Sequence, residues 1–271
     1  MRKRLARIPR FFISVELSCN QELLLDKKTS HHLLTVLRAK KGDSLRLFNG
    51  DGYDYQATVL HSGHRSPGKK AILQLHQRQL VSNESELNIT LLQCISRADR
   101  MDSTLRQAVE LGVSNLQPLY SAHSASPLEE GRTKKRQDHW QKIVISACEQ
   151  SGRARLPSLA PARSLQTAIE DLSAKHHWQQ SVKNGHCLPV VLSPAADQSL
   201  MKIIEKYTQC RSKRPEAVYL LNGPESGLDP QEISMGISAG MLEAHMGPRI
   251  LRTETAGTAA ITMIHTCLDT L

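Results

Sequence analysis

The chain has 271 residues, enough for about two domains of ordinary size, with 39% hydrophobic and 4% aromatic residues and 35 Lys+Arg against 26 Asp+Glu, a formal net charge of +9. No stretch approaches the roughly 20 apolar residues of a membrane span, and the basic N-terminus is followed only by the short apolar run Phe11 to Val15, too brief for the core of a secretory signal. Cys19, Cys94, Cys148, Cys187, Cys210 and Cys267 are dispersed without a CxxC pair, which argues against a disulfide framework and leads us to expect a reducing, cytoplasmic setting.

The first 80 residues hold 15 basic and 6 acidic side chains, a net of +9, whereas residues 81–271 hold 20 of each. Such a basic segment implies a polyanion, and nucleic acid fits better than a membrane because the basic residues do not sit opposite an apolar helical face. Phe11 to Val15 predicts a strand. Ser30 to Arg38 predicts a short helix with Ser30 as its cap. Ser44 to Phe48 and Tyr53 to Val59 alternate about the hairpin turn Asn49-Gly50-Asp51-Gly52, and Ile72 to Leu75 predicts a further strand. A small β-barrel with one helix follows, ending in the polar linker Val81 to Leu87; the domains are therefore expected at 1–80 and 81–271.

Strand and helix patterns then alternate. Ile89 to Ile95 is a buried-strand run, and Met101, Leu105, Ala108 and Leu111 recur at helical spacing before Gly112. Leu116 to Tyr120 predicts a strand, Trp140 to Gln150 a helix stopped by Gly152, and Ser164 to Ala174 another helix. Leu188 to Leu192 and Ala217 to Leu221 predict strands separated by a helix from Ala195 to Tyr207. Pro230 to Ala239 predicts a helix capped by Asp229, Met241 to Met246 a strand and Thr253 to Asp269 the last helix. This order predicts a parallel sheet covered by helices, with ligands beyond the carboxyl ends of its strands.

Gly63 to Lys70 nearly spells a phosphate-binding loop, but Lys70 occupies the Ser/Thr position and a strand pattern follows, so it reads as a basic loop. Gly223-Pro224-Glu225-Ser226-Gly227 lacks the spacing of a nucleophile elbow. The pairs His31/His32 and His176/His177, and His61 with His64, have no third ligand at suitable spacing, so no metal is expected. Two post-strand loops carry more information: Leu221 to Leu228, with two glycines and a proline, and Met246 to Ala256, a Gly-Pro turn followed by Arg249 and Arg252 at a helix start. Glycine permits close approach of backbone to a ligand, and paired loops of this kind in one sheet predict a site.

LLNGPESGL and MGPRILRTETA resemble the paired signatures of the RsmE family, SPOUT-class methyltransferases of small-subunit ribosomal RNA. Arg7 to Phe12, His32 to Asp43, Arg100 to Val113 and Trp140 to Arg153 agree with that family, so the resemblance runs from about residue 7 to about 261. Ser226 stands where the family has glycine in GPEGG, and Arg97 and Arg100 stand where lysines are often seen.

The resemblance implies a PUA-like β-barrel followed by an α/β domain with a deep trefoil knot, binding S-adenosylmethionine (SAM) and methylating N3 of a uridine. It further implies a homodimer acting on small-subunit RNA or the assembled subunit. The candidate cofactor residues are Leu221, Gly223, Glu225, Gly227, Met246, Gly247, Ile250 and Leu251. Arg249, Arg252 and Glu254 are candidates for catalysis, the arginines as stabilisers of negative charge on the uracil and Glu254 as a base or a helix-terminal carboxylate. Arg7, Arg10, Arg38 and Lys40 are candidates for RNA phosphates. Another RNA, a ribose 2'-oxygen as acceptor, or a non-catalytic role in ribosome assembly are the alternatives.

Overall fold

The computed structural model describes residues 8–62, 70–124, 130–209 and 214–268. Arg7, the basic loop 63–69 and Cys210 lie outside the described residues. The chain divides into two compact units, Met1–Glu84 with Cys148–Leu156, and Ser85–Ala147 with Pro157–Leu271.

The first unit is a five-stranded sheet of β1 (Arg10–Phe12), β2 (Glu22–Leu24), β3 (Ser44–Phe48), β4 (Tyr53–Ser62) and β5 (Ala71–Leu80), in the order β1-β3-β4-β5-β2. Only the β1 to β3 pairing is parallel. Alternation buries Leu45, Leu47, Tyr55, Ala57, Val59, Ala71, Leu73 and Leu75 against Phe11, Ile13 and Leu33. The tight β3–β4 connection uses Gly50 and Gly52 at φ +98° and +95°, values that side-chain-bearing residues rarely adopt.

The expected helix at Ser30 to Arg38 is corrected in detail. Helix α1 (Lys27–His31) starts earlier, capped by Asp26, whose carboxylate accepts from the N–H groups of Lys28 and Thr29 at 2.8 and 3.0 Å. A π-helical turn, His32–Val36, continues it. Ser30 is a fully buried residue inside the helix, not its cap; its hydroxyl donates to Leu25 O and accepts from Ala71 N at 3.0 Å. Strand β2 carried no expectation because its three residues show no alternation.

Two distant sequence blocks meet inside this unit. Phe12 N donates to a carboxylate oxygen of Glu149 at 3.0 Å, and burial pushes the Glu149 carboxyl above its usual range. Arg153 donates to Glu84 at 2.7 Å. The similarity at Arg7 to Phe12 and at Trp140 to Arg153 thus includes structural ties that hold residues Cys148–Leu156 within this unit.

The second unit is built on a parallel sheet of β6 (Asn88–Cys94), β7 (Asn115–Tyr120), β8 (Ser158–Leu159), β10 (Cys187–Leu192), β11 (Ala217–Asn222) and β12 (Leu242–Ala244), in the order β12-β10-β11-β6-β7-β8, with β9 (Arg163–Ser164) also on β7. Its helices are α2 (Ala98–Glu110), α3 (Glu130–Ser151), α4 (Leu165–His176), α5 (Trp178–Asn184), α6 (Leu200–Gln209), α7 (Pro230–Ser238) and α8 (Thr253–Leu268). Gly112 and Gly152, at φ +89° and +86°, end α2 and α3 as their positions suggest. Asp229 caps α7 in a capping box with Glu232.

Three differences have physical causes. Helix α3 begins ten residues before Trp140, because no residue from 131 to 139 is buried and so no apolar period marks that half. Helix α6 begins at Leu200, not Ala195; the intervening residues form a loop in which Ala195 N donates to the Ser193 hydroxyl. Helix α5 is set apart from α4 by His177 at φ +46°, a break that a histidine does not announce. Among the described residues no helix is long and apolar enough to cross a membrane, and no three His, Cys, Asp or Glu side chains are grouped to hold a metal.

Candidate active site

Because every strand of the second sheet is parallel, the loops leaving β10, β11 and β12 emerge on one edge. They enclose a cavity of about 460 Å3 lined by Leu192 to Ala195, Asn222 to Leu228 and Met246, Gly247, Arg249, Ile250 and Leu251. Thr253 and Ala256 of α8 complete its wall.

A buried polar cluster fixes the frame. Asn222, the last residue of β11, donates its side-chain amide to Gln93 Oε1 at 2.8 Å and to the Thr253 carbonyl at 2.9 Å. Thr253 Oγ1 donates to the Gly223 carbonyl at 2.6 Å, and Gln93 Nε2 reaches Thr253 Oγ1 at 3.2 Å. The start of α8 is thereby bonded to the first residue of the β11 loop. Gly257 makes this approach feasible: a Cβ there would stand 3.0 Å from Asn222 Nδ2. A glycine in a helix interior costs roughly 1 kcal/mol relative to alanine, so Gly257 was the available sequence sign of this contact.

The loop itself is tight. A Cβ on Gly223 would meet the Leu228 backbone nitrogen at 3.1 Å, and Gly227 N donates back to the Pro224 carbonyl at 3.0 Å. Gly227 and Gly247 take φ +81° and +103°. Ser226, which replaces a family glycine, is not among the residues at positive φ, so its Cβ meets no left-handed strain.

Of the expected cofactor residues, Gly223, Glu225, Gly227, Met246, Gly247, Ile250 and Leu251 line the cavity. Leu221 does not: it is fully buried in the sheet core, paired to Val191 on one side and Leu92 on the other. Glu225 is held partly away from a ligand role, since its Oε1 accepts from Arg97 N at 2.9 Å and lies 3.6 Å from the Arg100 guanidinium. Arg249 lines the cavity and is exposed. Arg252 is exposed outside the cavity lining, with its carbonyl accepting from Thr255 N and Ala256 N at the start of α8. Glu254 sits in the first turn of α8, with Oε2 shielded from solvent and bonded to nothing among the described residues.

Ser193, Pro194 and Ala195, which also line the cavity, were not expected. Their role depends on β10 lying between β11 and β12, a non-local fact. Arg38 and Lys40 are exposed in the first unit as anion contacts would require. Arg10 is not: its guanidinium is buried, as described below.

The residues present fit the cofactor that the resemblance implies. The volume lies in the usual range for small-molecule sites, the walls are supplied by Leu192, Leu228, Ile233, Ala244, Met246 and Leu251, and the space beside Gly227 and Gly247 is open to within 4 Å. Thr253→Val keeps the shape and deletes the hydroxyl that joins Gly223, Gln93 and Asn222. Leaving such partners unpaired is expected to cost about 1–3 kcal/mol, read as an earlier midpoint in urea unfolding; an unchanged midpoint would show that the cluster is dispensable.

Comparison with known proteins gives matches to a family model described as an RNA methyltransferase domain at residues 83–265 and to one described as an RNA methyltransferase PUA domain at residues 25–67. A Ribosomal RNA small subunit methyltransferase E of Buchnera aphidicola subsp. Schizaphis graminum is 33% identical over 258 residues, covering 95% of this chain and 96% of that one. The crystal structure of a Ribosomal RNA small subunit methyltransferase E from Neisseria gonorrhoeae bound to S-adenosyl methionine superposes with a TM-score of 0.80 at 33% identity, over 96% of this chain and 97% of that one. A Legionella pneumophila protein solved in complex with the bound cofactor SAM superposes with a TM-score of 0.82 at 30% identity, over 96% and 98%.

Proposed function

The chain belongs to the RNA methyltransferase family, and on that premise we propose that it is a SAM-dependent methyltransferase of small-subunit ribosomal RNA whose acceptor is N3 of a uridine. The observation that carries this reading is the cavity closed by the β10, β11 and β12 loops, with Arg249 on its lining and the Asn222–Thr253–Gly223 cluster beneath it. SAM, when bound, supplies a methyl group already activated on a sulfonium.

The protein's own task is positional and electrostatic. Gly223, Gly227, Met246, Ile250 and Leu251 would hold the cofactor through backbone groups and apolar contact. Uridine N3 must lose its proton, which places negative charge on the uracil carbonyls. Arg249 is placed to meet that charge, with Arg252 just beyond the cavity. Glu254, in the first turn of α8 but not on the cavity lining, is the carboxylate of this turn that would take the proton. The exposed Arg38 and Lys40 of the first unit would contact RNA phosphates.

The same reading includes a cytoplasmic homodimer, as the family resemblance implies. It also includes the knot, supported by β12 lying outside β10 in the sheet while α8 returns to pack on β6 and β11.

Transfer from methyl-labelled SAM to free small-subunit RNA and to assembled subunits, followed by nucleoside mass spectrometry, is expected to yield a base-methylated uridine. Label on ribose would overturn the acceptor assignment, and SAM binding without transfer to either substrate would favour an assembly role.

A further inference from the structure

The neutral charge of residues 81–271 conceals a local excess. Between Arg132 and Lys142 the chain carries Arg132, Lys134, Lys135, Arg136, His139 and Lys142 against Asp138 alone. All of these lie on α3, and Arg132, Lys134, Lys135, His139 and Lys142 are exposed. Among the described residues, Arg132, Lys134, Lys135, Arg136 and Lys142 form no ion pair.

The fold offsets only part of this charge: the Arg136 guanidinium lies 5.8 Å over the Trp140 ring, and Asp138 stands four residues from both Lys134 and Lys142. The inward face of α3 starts at Trp140 and continues through Val144 and Ala147, all buried. No residue from 131 to 139 is fully buried; Arg136 and Gln137 are half-buried, Gln137 donating to the Leu159 carbonyl at 3.1 Å, while the other basic side chains face outward. Arg132 and Arg136 are four apart and Arg132 and Lys135 three apart, spacings at which like charges oppose helix formation. Cations in the first turns also face the positive end of the helix dipole. The repulsion among Arg132, Lys135 and Arg136 and against the helix dipole is what an external polyanion would relieve.

The stretch is also tied to the cavity. His139 Nε2 lies 2.7 Å from Asp102 Oδ2, fastening α3 to α2. Asp102 is two residues, about 3 Å of helix rise, from Arg100, and Arg100 with the Arg97 N–H holds Glu225 of the cavity lining.

We infer that the exposed first half of α3 is a second RNA-binding surface, on the catalytic unit, contacting backbone phosphates of the strand that enters the cavity. The inference rests on the function proposed above and extends it, since the basic first unit is no longer the sole RNA contact. An anionic membrane fits less well, because residues 131–139 offer no apolar face to insert.

The test uses the full chain with Arg132→Ala, Lys134→Ala and Lys135→Ala combined, positions whose exposure leaves the fold intact. Binding to a small-subunit RNA fragment is measured across a salt series, alongside SAM calorimetry and thermal unfolding. Losing three phosphate contacts should lower the slope of log affinity against log salt by about 2 to 3 and weaken binding roughly 10- to 100-fold at physiological salt, with SAM affinity unchanged and Tm equal to or above that of the wild type. An unchanged slope and affinity in the variant, with wild-type methylation intact, would overturn this surface alone. So would loss of binding to phosphatidylserine vesicles with RNA affinity retained. A wild-type chain that neither binds nor methylates ribosomal RNA would overturn the proposed function and this inference with it.

Discussion

Arg10→Ala is expected to destabilise the first unit by about 3–5 kcal/mol, the range for stripping one partner from a buried ion pair. The Arg10 side chain is 8% exposed, and its guanidinium donates to Asp54 Oδ1 at 2.9 Å, to the Cys148 carbonyl at 2.7 Å and to the Arg153 carbonyl at 2.8 Å. The ring of Phe48 lies 3.8 Å beneath it. Alanine would leave Asp54, itself 10% exposed, with only Arg46 at 3.7 Å, and would remove the cation from the last turn of α3, where carbonyls favour it. Arg10→Lys should recover only part of the loss, because an ammonium cannot reproduce the planar fork that reaches three acceptors. Urea unfolding measures the change. RNA binding provides the contrast: an enclosed guanidinium contributes nothing to the salt slope, whereas a phosphate contact would remove about one unit of it. A stability change under about 1 kcal/mol together with a shallower slope would return Arg10 to the RNA surface.

Arg10 also marks the limit of what sequence reveals. Its charge is a local property and suggested phosphate; its burial follows from residues 44 and about 140 positions away. Ser30 fails as a cap for the same reason, since a serine before an apolar run looks alike whether it faces water or the Ala71 N–H. Features set by neighbours in sequence were legible: the Asp229 cap of the helix from Pro230, the stops at Gly112 and Gly152, and the turn at Gly50 and Gly52. The β11 and β12 loops were readable because Gly-Pro punctuation and strand ends coincide there. The β10 loop was not, because Ser193 to Ala195 acquire their place only from the order of strands in the sheet. The half of α3 from 131 to 139 was invisible as a helix and averaged out as charge, since its basic residues are balanced by acids elsewhere in residues 81–271.

The Arg249→Ala enzyme is expected to transfer methyl groups about 30- to 1000-fold more slowly, equivalent to roughly 2–4 kcal/mol for a lost donor at a site of developing charge. SAM affinity should change little. Arg249 and Arg252 stand just before Thr253, the first residue of α8, where the dipole disfavours cations. Neither appears in an ion pair among the described residues. Two unpaired arginines beside a helix N-terminus contribute no stability and together form a strongly anion-attracting rim, with Arg249 the one on the cavity lining. Single-turnover rates at saturating SAM separate this from a binding defect. Arg249→Lys should recover part of the rate, retaining charge without the planar donors. If Arg249 acts on the uracil anion, a substrate RNA carrying 5-fluorouridine at the target, with a more acidic N3, should narrow the gap between variant and wild type. A loss that appears wholly in SAM affinity, or a gap that the fluorinated substrate leaves unchanged, would assign Arg249 to holding the cofactor or the loop and would leave the stabilisation of the uracil to another group.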